Sequence, residues 1–427
     1  MIQEIEYKKR RDKILKKLEK NSVGVLFSAK YQTRSNDTEY PFRQDSNFYY
    51  LTGFKEDNSS IIFVKDKKKT KVILFVSKKD KEQELWNGKR LGEKEAKKRF
   101  LVDEIYTSDM FESKLKEYLI KSQTLYFDFT LDYSKVKILK RYAKQLSTHK
   151  NIAIDINEMR LIKSNSEIDL IKKAINITKE AHHKAIKFSK INKNEYELLS
   201  EIEHTFKVNG AYSDAYTSIV ACGNNANTLH YVDNNKPLMD NELILVDAGC
   251  EYEYYASDIT RTIPVNGQYT PAQKEIYNLV LGCEEYIIKK IKPNVKRTKL
   301  QKKAAKFLTK GMLRLGILKG DLNKLIKKEK YKKYYPHGIG HWMGLDVHDT
   351  APYKGKDGKE IKLQAGMVLT IEPGIYIDKD DKSVPKKYRG IGIRIEDDIL
   401  VTRNGFENLS SAIVKNINDV EGLYRTN

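Results

Sequence analysis

The chain has 427 residues, 40% of them hydrophobic and 32% charged, and a formal net charge of +21 at pH 7. At about 150 residues per domain this length supports two or three domains with real cores, and it excludes a short peptide or a disordered polymer. The positive charge is mostly lysine scattered along the whole chain, with no Arg-rich arm and no aromatic–basic run of the kind that stacks bases, so no nucleic-acid partner is expected.

From Tyr7 to about Glu158, short strand-like runs alternate with Lys-rich segments of helical period. The predicted strands are Ser22 to Ser28, Ser60 to Val64, Lys71 to Val76, Thr124 to Asp128 and Ile152 to Ile154, a pattern that reads as an α/β domain. The boundary falls near Glu158 to Lys163 and divides the chain into residues 1–160 and 161–427. The second part opens on a helix: Ser164 and Glu167 have capping-box spacing, and Ile168, Ile171, Ile175 and Ile177 supply an apolar stripe. A second helix follows from Glu195 to Val208, and two more are predicted from Pro271 to Ile291 and from Thr298 to Leu315. Strand-like runs occupy Thr217 to Ala221, Leu243 to Val246, Thr260 to Val265, Val368 to Ile371 and Gly392 to Ile395. Strands and helices are segregated, which predicts an α+β arrangement with an antiparallel or mixed sheet.

The three cysteines, Cys222, Cys250 and Cys283, have no CxxC spacing, so neither a disulfide framework nor a thiolate zinc site is expected. The first residues lack the apolar core of a signal peptide and no stretch is long enough to cross a bilayer, so the expected location is cytoplasmic, with no membrane partner.

Five segments of the second part place a carboxylate or an imidazole beside glycine or at a strand end: LVDAGCEY, ASDITRT, HGIGHWMGLDVHD, TIEPGIY and GIRIEDD. Asp247 ends the apolar run Leu243 to Val246, where a buried charge requires a cation or a donor. Asp258 comes eleven residues later, an odd separation that suits direct cross-strand pairing in a hairpin with both carboxylates on one face. Side-by-side carboxylates repel, and a divalent cation relieves the repulsion. His337 and His341 have i, i+4 spacing, but Gly338 and Gly340 between them argue for a loop or a strand entry instead of a zinc-binding helix, with the imidazoles either bonded to carbonyls or acting as ligands. Glu372 ends the run Val368 to Ile371, and alternation puts Arg394 and Glu396 on one face of their strand. Arg394 there either orients a carboxylate ligand or forms a structural ion pair. Four carboxylates and one neutral imidazole balance two divalent cations better than one, and oxygen-rich ligation favours Mn²⁺, with Co²⁺, Zn²⁺ and Fe²⁺ as alternatives.

These segments resemble the metal site of the pita-bread metallopeptidases, and of the aminopeptidase P family in particular. FRQDSNFYYLTGF (Phe42 to Phe54) and LWNGKRLG (Leu85 to Gly92) extend the resemblance into a creatinase-like amino-terminal domain, so that it spans essentially the whole chain. It implies a pita-bread catalytic domain over 161–427 and a smaller α/β domain over 1–160. Asp247, Asp258, His341, Glu372 and Glu396 are implied to hold two metals, with Asp258 and Glu396 bridging and a water or hydroxide between the metals as nucleophile. Glu372 is also the implied proton shuttle. His230, His337 and His348 match histidines that contact the scissile amide and the tetrahedral intermediate, and Arg394 matches a position beside the substrate.

The implied reaction removes an N-terminal residue that precedes proline. An apolar wall for the proline ring is expected from Trp342, Tyr353 or Tyr388. The resemblance further implies a homo-oligomer, dimer or tetramer, with Trp86 as a contact. Prolidase shares all five ligand positions and is the alternative, told apart by activity confined to dipeptides. A methionine aminopeptidase would not need the first 160 residues, and creatinase would not retain the carboxylate set. A metal-free binding module of the same fold would show replaced ligands, and none is replaced.

Overall fold

The computed structural model describes every residue except Met1, Gln145, Ser147 and Asn427. The chain separates into two compact units, Met1–Arg160 and Leu161–Asn427.

The first unit is built on a six-stranded sheet in the order Glu104–Thr107, Thr70–Val76, Ser60–Lys65, Ser22–Phe27, Thr124–Phe127, Thr148–Asn151. Only Ser60–Lys65 runs against its neighbours; the other pairings are parallel. Val23, Val25, Ile62, Ile73, Phe75 and Leu125 form one side of its core with Leu115 and Leu139 from the covering helices. Each such fully buried side chain contributes roughly 1.5–3 kcal/mol. Ile152 to Ile154 departs from the sequence expectation, because these residues begin the helix Ile152–Arg160. Ile152, Ile156 and Arg160 fall one turn apart and are buried, and the Asn151 side chain accepts from the Ala153 N–H at the helix start. The strand lies just before it, at Thr148–Asn151, on the sheet edge where a polar THKN segment is tolerated.

In the second unit, the helix Asn165–Phe188 starts on the anticipated capping box, in which the Ser164 hydroxyl accepts from Glu167 N–H and the Glu167 carboxylate accepts from Ser164 N–H. It buries Ala174, Ile177, Ala181, Ala185 and Ile186 against the main core. Helices Glu195–Val208, Pro271–Ile288 and Arg297–Arg314 complete the cover. Every strand pairing is antiparallel, as α+β segregation requires: Ile219–Cys222, Leu243–Asp247 and Thr260–Pro264 form one sheet, Val368–Ile371, Asp397–Val401 and Phe406–Asn408 a second, and Gly374–Tyr376 pairs with Gly392–Arg394. Among the described residues no helix is long and apolar enough to cross a membrane.

His182 links the long helix to the ligand-bearing sheet. Its buried Nε2 lies 3.0 Å from the Ala248 carbonyl, which only an N–H can satisfy, so the ring is held as the neutral Nε2–H tautomer. Burial pushes its pKa down to about 3. Above the unfolded value of about 6.5 neither state binds the proton; below it the unfolded chain gains one that the folded chain refuses until about pH 3, so stability falls by up to about 1.4 kcal/mol per pH unit. Urea unfolding at pH 7.5 and pH 5 should therefore show a smaller acid loss for His182→Gln, which keeps an N–H donor, than for the parent. Identical losses would contradict this assignment.

Candidate metal centre

Two glycines let the ligand strands come together. A Cβ at Gly249 would stand 1.9 Å from the Ser257 carbonyl oxygen, and one at Gly340 would stand 1.9 Å from that of Thr370. Both are backbone collisions that no rotamer relieves, so the turn after Asp247 and the segment leading into His341 require glycine.

Asp247 closes its strand directly opposite Thr260, not opposite Asp258. Asp258 lies two residues before Thr260, in the break between the outer hairpin and the inner pair Cys250–Tyr252 and Tyr255–Ala256, where Ala248 N–H donates to the Ile259 carbonyl. The expected direct pairing is thus replaced by a diagonal one, which preserves the same-face relation because the side-chain period is two. The HGIGHWMGLDVHD segment is irregular, without a helix, and is anchored by the bridge of Trp342 to Leu369. His341 N–H donates to Thr370 Oγ1 and the His341 carbonyl accepts from Thr370 N–H, which ties it to the strand that delivers Glu372.

A cavity of about 310 Å³ collects Asp247, Asp258, His341, Glu372 and Glu396, together with His230, His337, His348 and Arg394. One ligating atom each from Asp258, His341 and Glu396 lies within 4.8 Å of the others. His341 Nε2 is 3.2 Å from Asp258 Oδ2 and 3.8 Å from Glu372 Oε1, while its Nδ1 contacts the Trp342 carbonyl at 3.0 Å. That carbonyl takes the Nδ1 proton and aims Nε2 at the carboxylates, the orientation a metal-ligating imidazole needs. Glu396 accepts from the Thr260 hydroxyl at 2.6 Å.

The Arg394 guanidinium donates to Asp247 Oδ2 at 2.5 Å, to the Tyr376 hydroxyl at 2.9 Å and to Thr260 Oγ1 at 3.1 Å, so it forms an ion pair that also orients the Asp247 carboxylate. His337 is bound at both nitrogens, Nδ1 to the Gly338 carbonyl and Nε2 to the Tyr376 hydroxyl, each at 2.8 Å. The carbonyl requires Nδ1–H, so a directed chain runs from Arg394 N–H to the Tyr376 oxygen and from Tyr376 O–H to His337 Nε2. His348 packs edge-on against His341 with ring centroids 4.2 Å apart.

The electrostatics show a site short of positive charge. Burial, then the charges of Asp258, Glu372 and Asp247, push Glu396 well above the usual carboxylate range, and burial raises Glu372 to about 7 against the opposing charges of His341 and Arg394. Asp247 is raised too, again first by burial and despite Arg394. Burial favours the neutral ring of His341, but the hydrogen bond to Asp258 and the charges of Asp258 and Glu372 outweigh it and lift the group to about 9. Burial and Arg394 hold His337 down at about 4. With all four carboxylates ionised and His341 neutral, as ligation requires, Arg394 leaves three negative charges. One divalent cation would leave one of them uncompensated, whereas two would leave a single positive charge, which suits an anionic nucleophile. The donor set of carboxylate oxygens with one imidazole fits hard or borderline divalent ions.

Three residues that brace the site were not singled out in the sequence: Tyr216 and Thr260, which bond candidate ligand carboxylates, and Tyr376, which bonds Arg394 and His337. The Tyr216 hydroxyl donates to Asp247 Oδ1 at 2.6 Å. Tyr376 lies within the TIEPGIY segment, four residues after Glu372, and that spacing was its available signal; Tyr216, one of 27 tyrosines, had none. The aromatic wall expected from Trp342, Tyr353 and Tyr388 is not part of the cavity lining, whose apolar side chains are Ile219, Leu229, Val232 and Val347. Trp342 is buried and stacked on Tyr353 at 5.6 Å, and the Tyr388 hydroxyl donates to Glu275 at 2.5 Å.

Comparison with known proteins follows the same division of the chain. The sequence profile of metallopeptidase family M24 matches residues 169–403, and that of the aminopeptidase P N-terminal domain matches residues 7–126. The Xaa-Pro aminopeptidase of Haemophilus influenzae is 42% identical over 418 residues, covering 98% of this chain and 96% of that protein. Human Xaa-Pro aminopeptidase 3 is 36% identical over 442 residues, covering 99% and 86%. Among solved structures, proline aminopeptidase P II from Yersinia pestis superposes with a TM-score of 0.96 at 38% identity over the full length of both chains. A zinc-substituted Escherichia coli aminopeptidase P in complex with product gives 0.96 at 37% identity, over 100% of this chain and 99% of that one. With its carboxylate–imidazole cavity and both profiles in order along the chain, this protein belongs to metallopeptidase family M24 and, within it, to the Xaa-Pro aminopeptidases.

Proposed function

We propose that the chain hydrolyses the bond between an N-terminal residue and a following proline in peptides, using two divalent cations, Mn²⁺ by preference, that Asp247, Asp258, His341, Glu372 and Glu396 would hold. The observation that carries this reading is the convergence of those five side chains in one buried cavity lined by Arg394 and three histidines. Bound there, the cations would supply Lewis acidity toward the scissile carbonyl and would make water nucleophilic near neutral pH.

The remaining work falls to the chain's own groups. Glu372 takes the proton of the attacking water on a carboxylate oxygen and delivers it to the departing proline nitrogen. That nitrogen belongs to a tertiary amide without N–H, so the site does not rely on binding an amide hydrogen and must supply a proton to the leaving group. Arg394 fixes Asp247 and, through Tyr376, His337, while His230 and His348 stand at the exposed side of the cavity to contact the peptide. Ile219, Leu229, Val232 and Val347 receive apolar parts of the substrate.

Residues 1–160 form the aminopeptidase P amino-terminal domain and 161–427 the catalytic domain in this reading. Trp86 and Leu85, 84% and 82% exposed on the helix Lys81–Asn87, support assembly into a dimer or tetramer, because side chains this apolar are favoured at protein contacts. Three free, buried cysteines suit a reducing cytoplasm. The test is a substrate series with Mn²⁺-loaded protein. Cleavage of Xaa-Pro-Xaa tripeptides and longer peptides, with little on Xaa-Pro dipeptides or Xaa-Ala-Xaa, is expected; activity confined to dipeptides would overturn the reading.

A further inference from the structure

Glu195, the first residue of the helix Glu195–Val208, is fully buried, yet among the described residues no Lys or Arg forms an ion pair with it. Its carboxylate instead accepts from four neutral donors. Oε1 takes Cys222 N–H at 2.7 Å and Asn225 Nδ2–H at 2.9 Å; Oε2 takes the Tyr231 hydroxyl at 2.8 Å and Lys236 N–H at 2.9 Å. Two carboxylate oxygens offer about four acceptor positions, so the group is saturated. The Glu195 N–H also donates to the Lys236 carbonyl at 2.9 Å.

All four donors come from the beginning, middle and end of one segment, residues 222–236, which connects Ile219–Cys222 to Leu243–Asp247 and has only one short helical turn, Gly223–Asn227. That segment carries Leu229, His230 and Val232 into the cavity wall. Tyr231, adjacent to His230, is buried with its hydroxyl on Glu195 and is not among the cavity-lining residues, so the backbone next to His230 is tied to Glu195. Asn234 closes the segment a second time: its Oδ1 accepts from Val220 N–H at 2.8 Å and its Nδ2 donates to the Ser218 carbonyl at 2.9 Å. A backbone loop of this length without regular structure holds one conformation only where its polar groups are tied down.

We propose that Glu195 is a positioning residue for hydrolysis: its carboxylate gathers residues 222–236 so that His230 is presented to the peptide. This rests on the reading above in which His230 touches the substrate. Gln at 195 keeps the shape but turns an amide N–H₂ toward two of the four donors, leaving them unpaired and releasing part of the segment.

The test is a double-mutant cycle in kcat/KM between Glu195→Gln and His230→Ala, on an Xaa-Pro-Xaa peptide with Mn²⁺-loaded protein, with metal content measured for each variant. Glu195→Gln is expected to lower kcat/KM by roughly 10- to 100-fold, in line with displacement of a positioned group. It should retain the parent's metal content, and it should cost less than twofold once His230 is Ala. Tyr231→Phe, which removes one donor and keeps the ring, should show the same dependence on His230 with a smaller loss, and it serves in place of Glu195→Gln if that variant does not fold. Equal losses in both backgrounds, loss of metal, or parental activity would overturn the proposal. If His230→Ala alone is fully active, the role of His230 falls first and the proposal with it, an outcome distinct from equal losses.

Discussion

Asp258→Asn is expected to reduce hydrolysis of an Xaa-Pro-Xaa peptide by more than about a thousandfold, or about 4 kcal/mol of transition-state stabilisation, while leaving the fold intact. Asp258 contributes one of the three clustered ligand atoms, and its Oδ2 faces His341 Nε2 at 3.2 Å. Asn has nearly the same shape but no charge, so the loss falls on cation binding. In metal-free protein two effects oppose each other: deleting the Asp258 charge relieves the repulsion that pushes Glu396, Glu372 and Asp247 upward, but it also removes the partner that lifts His341. The metal response separates them: Mn²⁺ should raise the melting temperature of the parent far more than that of the variant. Thermal scans with and without metal measure the difference; equal Mn²⁺ shifts would contradict the assignment.

Arg394→Met should be damaging for a different reason. Arg394 is 4% exposed and gives Asp247 its only cationic partner among the described residues; without it Asp247 keeps the Tyr216 hydroxyl alone. Breaking a buried ion pair from one side costs about 3–5 kcal/mol, because the remaining charge is stranded. Tyr376 and Thr260 lose a donor as well, and the directed chain to His337 is cut. Denaturant unfolding of metal-free Arg394→Met should show that loss, and kcat/KM should fall by at least about a hundredfold. Adding Asp247→Asn should restore most of the stability but none of the activity, since it removes the stranded charge together with a ligand. Additive destabilisation by the two substitutions would show that the pair is not what holds this corner.

The candidate ligands stood out in the sequence because of where their charges fell. Asp247 and Glu372 end continuous apolar runs, and a carboxylate there has no cheap structural explanation. Gly249 and Gly340 became meaningful only in the fold, where the backbone passes too close to each for a Cβ. The hairpin register was less legible. Pairing Asp247 with Asp258 assumes a turn centred midway between them, whereas the two-residue turn falls one position later, at Glu253–Tyr254, and the same register then runs from Glu251 opposite Ala256 to Asp247 opposite Thr260. Ile152 to Ile154 misled because three alternating apolar residues satisfy a strand and a helix start equally, and the true strand, Thr148–Asn151, is polar. The proline wall was sought among aromatics, but Trp342 is buried beside Tyr353, and smaller aliphatic side chains line the cavity. Tyr216 could be recognised only once the strand ends had been brought together, since its role depends on distance and not on neighbours in the chain.

Stoichiometric metal binding tests the account most directly. Metal-stripped protein titrated with Mn²⁺ in a calorimeter, with bound metal counted by elemental analysis, should take up two ions per chain and recover peptidase activity as they bind, and Asp258→Asn should take up fewer. Failure to bind any ion, or uptake that is the same in parent and variant, would contradict a centre built from Asp247, Asp258, His341, Glu372 and Glu396.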